Sequence, residues 1–84
     1  MKTYTISASW GESWIFHADD SDFRNFGLSV EEAVYVMCEM EPARRMSSWS
    51  LAKRLLSGEP VVFSYHGLEF ATLQLKGNEF LLVE

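Results

Sequence analysis

The sequence predicts an α+β domain of two layers, in which a five-stranded, mainly antiparallel sheet is covered on one face by two helices. Three observations support this prediction. Apolar residues alternate with polar ones near the start of the chain, helical periodicity is confined to its middle, and tight-turn residues separate the β-rich segments that follow. The element order is ββααβββ, and 84 residues suffice for a single domain, 1–84.

The first two strands form a hairpin. Residues 3–10 alternate polar and apolar side chains, which is typical of a strand with one face on a core; the core side holds Tyr4, Ile6, Ala8 and Trp10. Gly11 and Glu12 permit a tight turn into a second strand over residues 13–18, with Trp14 and Phe16 on one face. Residues 19–27 show neither the alternation of a strand nor the apolar periodicity of a helix, and they are predicted to form a loop.

Two helices follow this loop. Ser29 and Glu32 have the spacing of a capping box, so the first helix is predicted to begin at Ser29 and to end near Glu41, before Pro42. Its broad apolar side comprises Val30, Ala33, Val34, Val36, Met37, Cys38 and Met40, and its outer side Glu31, Glu32, Tyr35 and Glu39. A second helix is predicted over residues 47–56, burying Trp49, Leu51, Ala52, Leu55 and Leu56.

Three strands complete the sheet. Residues 61–65 are β-branched and aromatic, His66-Gly67 is a hairpin turn, and residues 68–75 form the return strand. The apolar residues of that strand change phase, which predicts a bulge near Ala71-Thr72. Residues 80–83 are four consecutive apolar residues, typical of an interior strand. Pairing of this last strand with the first gives the strand order 2-1-5-4-3.

Charge and composition exclude several classes of protein. The net charge is −5, and residues 1–42 carry eight carboxylates against two basic side chains. This balance argues against direct nucleic-acid binding and favours a basic partner. A single cysteine allows no internal disulfide, and no apolar run approaches the length of a membrane span. We therefore expect a cytoplasmic protein without membrane association.

No motif predicts catalysis, a metal or a cofactor. His17 and the following aspartates supply ligand types, but the segment lacks the glycine and terminal glutamate of an EF-hand, which favours a solvated acidic loop. The segment 11–15 begins like a nucleophile elbow but has Ile15 where the second glycine is required. Cys38 is interpreted as a packed hydrophobic residue and His66 as a turn residue. The prediction is therefore a protein that is not an enzyme.

Two further patterns are interpreted as structural. Four aromatic residues have the character of a stacking platform for single-stranded nucleic acid, but without interleaved basic residues they are predicted to be core: Trp10, Trp14, Tyr65 and Phe70. Arg44 and Arg45 follow the first helix and are expected to offset the charges of Glu39 and Glu41.

The acidic outer side of the first helix and the loop before it form the predicted partner-binding surface. Its residues are Asp19, Asp20, Asp22, Glu31, Glu32, Tyr35 and Glu39. Glu39 and Glu41 lie at the negative end of the helix dipole, a local conflict of the kind that function can impose. We expect an inhibitor that covers the basic, nucleic-acid-binding surface of a partner protein, as phage-encoded anti-CRISPR proteins and other DNA mimics do.

The alternative is an adaptor or antitoxin-like subunit that docks through an apolar patch or a sheet edge, with the acidity serving solubility. Steep loss of partner binding with salt favours the inhibitor, and indifference to salt favours the adaptor. The sequence leaves the partner's identity and the oligomeric state open.

Overall fold

The computed structural model describes residues 1–84 and has two helices and six strands. The elements are β1 (Lys2–Ala8), β2 (Ser13–Ala18), α1 (Phe23–Cys38), β3 (Met40–Pro42), α2 (Ser48–Leu56), β4 (Val61–Tyr65), β5 (Leu68–Lys76) and β6 (Glu79–Val83). The class is α+β, as predicted, and both helices contact the sheet.

The six strands form one mixed sheet in the order β2-β1-β6-β5-β4-β3. The prediction of five strands was wrong by one, because β3 extends the sheet beyond β4. β1 and β6 are parallel, with Ile6 opposite Phe80, and every other neighbouring pair is antiparallel. The parallel pair is possible because four strands and two helices separate β1 from β6 in the chain, enough for a crossover.

The core lies between the helices and one face of the sheet. Aromatic rings meet at its centre: Tyr4 stacks on Phe16 at a centroid distance of 5.7 Å and meets the edge of Phe26 at 5.3 Å. Tyr4, Ile6 and Ala8 are buried on the predicted face of β1, whereas Trp10 lies beyond the end of that strand and is half-buried. No polar or charged side chain is buried, so apolar contact holds the layers together.

α1 begins well before the predicted capping box. Asp22 is its N-cap: the carboxylate accepts hydrogen bonds from the Asn25 backbone N–H at 3.2 Å and from Asn25 Nδ2 at 2.7 Å. The early start places Phe26 on the helix, where it is completely buried. Ser29 therefore lies inside α1, and the predicted loop over residues 19–27 is wrong from Phe23 onward. Burial of Phe26 outweighs the local signal at Ser29.

The position of this cap predicts a difference between two alanine variants. Asp22→Ala should lower the free energy of unfolding by about 0.5 to 2 kcal/mol, because it leaves an N-terminal amide of α1 without its acceptor. Ser29→Ala should change it by less than about 0.5 kcal/mol, because Ser29 caps nothing. Urea unfolding of both variants measures the difference, and a larger loss for Ser29→Ala would place the cap at Ser29 after all.

α1 also ends earlier than predicted. Glu39 adopts a left-handed conformation with φ of 57°, and its N–H donates to the Tyr35 carbonyl at 2.7 Å. This terminates the helix and turns the chain into β3, which pairs with β4 through Met40 opposite Tyr65. Val36, predicted for the core side, is 55% exposed.

α2 matches its predicted range and is capped by Ser47, whose hydroxyl accepts from the Ser50 backbone N–H at 3.1 Å. Leu51, Ala52 and Leu55 are buried as predicted. Trp49 is not buried: it is half exposed beneath the Lys53 ammonium group, which lies 5.1 Å from the ring centroid. The indole thus packs against a cation at the surface, which stabilises an exposed ring.

The hairpin of β4 and β5 contains the predicted turn and an irregularity. His66 and Gly67 have φ values of 49° and 86°, the pair of positive values that a tight hairpin turn requires. Phe63 pairs with Ala71, but the next residue of β4, Ser64, pairs with Glu69, so Phe70 has no partner. The bulge therefore falls at Phe70, just before the predicted position, and it alters the direction of this side chain.

Candidate functional site

The three aspartates of the predicted acidic surface are held by local interactions. Asp19 accepts hydrogen bonds from the Ser21 hydroxyl at 2.7 Å and the Ser21 backbone N–H at 3.0 Å, which lower its pKa. Asp20 forms an ion pair with Lys2 at 2.7 Å, and that hydrogen bond raises the pKa of the lysine. Asp22 caps α1. These carboxylates stabilise the turn into α1, and all three remain at the protein surface.

The remaining residues of the predicted surface lie on α1 or at its C-cap, and they differ in how exposed they are. Glu31 accepts a hydrogen bond from the Ser48 hydroxyl at 3.2 Å and so links α1 to α2. Glu32 and Glu39 are exposed, as is Tyr35. Large apolar side chains lie beside them: Leu28 is 44%, Tyr35 54% and Val36 55% exposed. We call the set Leu28, Glu32, Tyr35, Val36 and Glu39 the α1 outer face.

Two arginines border this face. A groove of about 460 Å³ has Glu31, Glu32 and Tyr35 among its lining residues, together with Arg44 and Arg45. The protein has only two ion pairs, Lys2–Asp20 and His66–Glu39. Neither arginine therefore lies within 4.0 Å of a carboxylate oxygen. The predicted balancing of Glu39 and Glu41 by these arginines therefore involves no direct ion pair.

A second concave surface lies at the C-terminal end of α1, and we call it the aromatic cleft. It has a volume of about 500 Å³ and is lined by Trp10, Val36, Met37, Cys38, Met40, Tyr65 and Phe70, with the carboxylates Glu12, Glu39 and Glu84. Trp10 meets Phe70 edge to face at a centroid distance of 5.4 Å, and Tyr65 lies 6.5 Å from Phe70. Its apolar lining with a few polar groups is the usual character of a binding pocket.

The prediction that the four aromatic residues are core was wrong. Tyr65 and Phe70 are 43% and 44% exposed, and Trp10 is half-buried beside them. Trp14 is also exposed but lies elsewhere, in a groove between β2 and α1. Three of the four residues therefore share one surface. The phase change of the apolar residues in β5 was the sequence signal, because it marks the bulge that leaves Phe70 without a partner in β4.

The groups with catalytic or ligating chemistry are not assembled. His17 Nδ1 lies 3.1 Å from the Thr3 hydroxyl, and no three His, Cys, Asp or Glu side chains are grouped as metal ligands. The Cys38 thiol donates to the Val34 carbonyl at 3.3 Å, and burial raises its pKa. A raised pKa keeps the group as the less nucleophilic thiol. What the exposed surface offers instead is apolar contact area bordered by carboxylates.

Comparisons with known proteins do not assign this surface to a family. The chain matches no protein-family model, no curated protein and no solved structure. Neither helix combines the length and the apolar composition needed to cross a membrane.

Proposed function

We propose that this chain is a non-enzymatic binding protein that places the α1 outer face on a basic surface of a partner protein. The observation that carries the proposal is the alternation, on this one exposed face, of large apolar side chains with Glu32 and Glu39. Three large apolar side chains that lie close together on one exposed face are typical of a surface that contacts a partner. Apolar contact supplies affinity, and the carboxylates supply attraction to a basic partner.

The narrower form of the proposal is an inhibitor that covers a nucleic-acid-binding surface in the cytoplasm. Such a surface is basic because it neutralises phosphates, so carboxylates can occupy the places of those phosphates. The net charge of −5 adds long-range attraction to such a surface. The aspartates before α1 contribute to this field even though each has a local partner.

Capture at several salt concentrations tests this proposal. The immobilised protein should retain a basic protein from a cell extract at low salt and release most of it at about 0.3 M salt, where exposed charges are strongly screened. Added protein should then block nucleic-acid binding by the purified partner. Retention independent of salt, with nucleic-acid binding unaffected, would contradict the proposal.

One observation favours the second candidate, an adaptor or antitoxin-like subunit that docks through a sheet edge. β2 is an edge strand of six residues without lysine or proline, and its Trp14 and Ile15 are exposed. The opposite edge, β3, has only three residues and ends at Pro42, so it offers little for pairing. Partner binding that resists salt but is lost when Ile15 is replaced by proline would favour this candidate.

A further inference from the structure

The aromatic cleft combines an apolar interior with a rim of one sign of charge. Glu12, Glu39 and Glu84 line it, and no lysine or arginine does. α1 ends at this cleft with no basic residue in its last turn, so its own side chains do not offset the negative end of its dipole. The basic group nearest to a rim carboxylate is His66, whose Nε2 lies 3.8 Å from Glu39 Oε2. A cation from another molecule fits this charge distribution.

Ring geometry favours a flat cation over a compact one. The Trp10 and Phe70 rings are inclined at 67° to each other, and Tyr65 extends the aromatic wall. Indole and phenyl faces attract cations, and a guanidinium group stacks on them with less loss of hydration than an ammonium group. The Trp10 Nε1–H donates to Glu12 Oε1 at 2.5 Å, which holds this carboxylate beside the ring. Carboxylate and aromatic face are thus held together, and a guanidinium group can contact both.

We propose that the aromatic cleft binds the side chain of an arginine from the partner protein. The aliphatic part of that side chain would lie along Met37 and Met40, and its guanidinium group would reach the rim carboxylates. The inference rests on the proposed function, because Val36 and Glu39 belong both to the α1 outer face and to the cleft. A basic surface that covers α1 therefore brings its side chains within reach of the cleft.

Titration with a blocked Gly-Arg-Gly tripeptide, followed by NMR, tests the cleft by itself. The indole N–H signal of Trp10, assigned with a Trp10→Phe variant, should move saturably, with a Kd on the order of millimolar for so small a ligand. The matched peptide with citrulline, which has the same shape but no charge, should bind at least about fivefold more weakly. Equal binding of the two peptides, or no saturable shift with arginine, would overturn the inference.

Variants identify the carboxylates responsible. The pair Glu12→Gln and Glu39→Gln should weaken binding of the arginine peptide at least about fivefold. The matched pair Glu59→Gln and Glu69→Gln, neither of which lines the cleft, should leave binding of the peptide unchanged. Unchanged binding in the first pair would overturn the inference, and thermal melting of each variant shows that it is folded.

The same reagents separate this inference from the function on which it rests. Glu32 belongs to the α1 outer face and not to the cleft. If Glu32→Lys abolishes partner capture while the arginine peptide fails to bind, the cleft inference is wrong and the proposed function stands. If the peptide binds while Glu32→Lys leaves capture unchanged, the proposed function is wrong and cleft binding of arginine is retained.

Discussion

Gly27→Ala should destabilise this protein more than any other single-methyl substitution in α1. Gly27 is buried where α1 crosses α2, and a Cβ built on it would lie 1.9 Å from the Ser48 carbonyl oxygen. Three backbone atoms of Ser48 lie within 3.0 Å of that position, so no side-chain rotation can relieve the contact. The helices would have to separate, which disturbs the packing of Leu51 and Phe26 beneath them.

The expected loss is about 2 to 4 kcal/mol, although alanine is the better helix former by about 1 kcal/mol. For a domain of this size the melting temperature should fall by roughly 10 °C or more. Ser29→Ala is the control within the same helix, because it also places an alanine in α1 but adds no atom that could clash. A melting temperature for Gly27→Ala at or above that of the wild type would mean that the two helices lie farther apart than described.

Local chemistry accounts for the parts of the fold that the sequence predicted. Alternation at period two placed Tyr4 and Ile6 on the core side of β1, and both are buried. The turn at His66-Gly67 was equally local, because a tight hairpin needs positive φ at adjacent residues and glycine supplies it without strain. These features depend on a few neighbouring residues, so a single sequence suffices to predict them.

Tertiary contacts decided the features that the sequence missed. The helix is capped by Asp22 and not by Ser29, because an earlier start of α1 buries Phe26. β3 was missed because its three residues end at Pro42, which lacks the N–H of a strand residue; the proline is tolerated at the sheet edge, where one side of the strand has no partner. Pairing of the first and last strands was predicted, but their parallel direction was not, because it follows from the crossover and not from either strand's composition.

In the candidate sites, too, the sequence predicted local features and missed those that depend on tertiary contacts. Carboxylates were visible in the sequence, but their availability was not: Glu31 bonds to Ser48, whereas Glu32 has no hydrogen-bond partner and is exposed. The aromatic cleft brings together Trp10 from the turn after β1, Tyr65 from the end of β4 and Phe70 from the bulge in β5. Trp10 and Phe70 are distant in sequence and meet only because β1, β6 and β5 are neighbours in the sheet. The predicted strand order placed these three strands side by side, but contact of the two rings also depends on where β1 ends and on the bulge in β5.

Charge reversal on the α1 outer face should have the largest effect on partner binding. The variant Glu32→Lys with Glu39→Lys replaces two exposed carboxylates that accept no hydrogen bond. The melting temperature should change little, because the one ion pair that is lost, Glu39 with His66 at 3.8 Å, lies exposed to solvent. Glu31 is left unchanged because its bond to Ser48 would confuse binding with stability. Partner binding should weaken by roughly 2 to 4 kcal/mol, about 30- to 700-fold in Kd, because attraction is lost and repulsion is added.

Net charge alone would predict the same loss for any two such reversals, and a matched variant excludes that explanation. Glu59→Lys with Glu69→Lys changes the total charge equally but lies outside the α1 outer face, on exposed residues after α2 and in β5. Titration calorimetry with the captured partner should show less than about a fivefold loss for this pair. Equal losses in both variants would mean that net charge, and not the α1 outer face, determines partner binding. If neither variant weakens binding while Ile15→Pro abolishes it, the partner docks on the β2 edge.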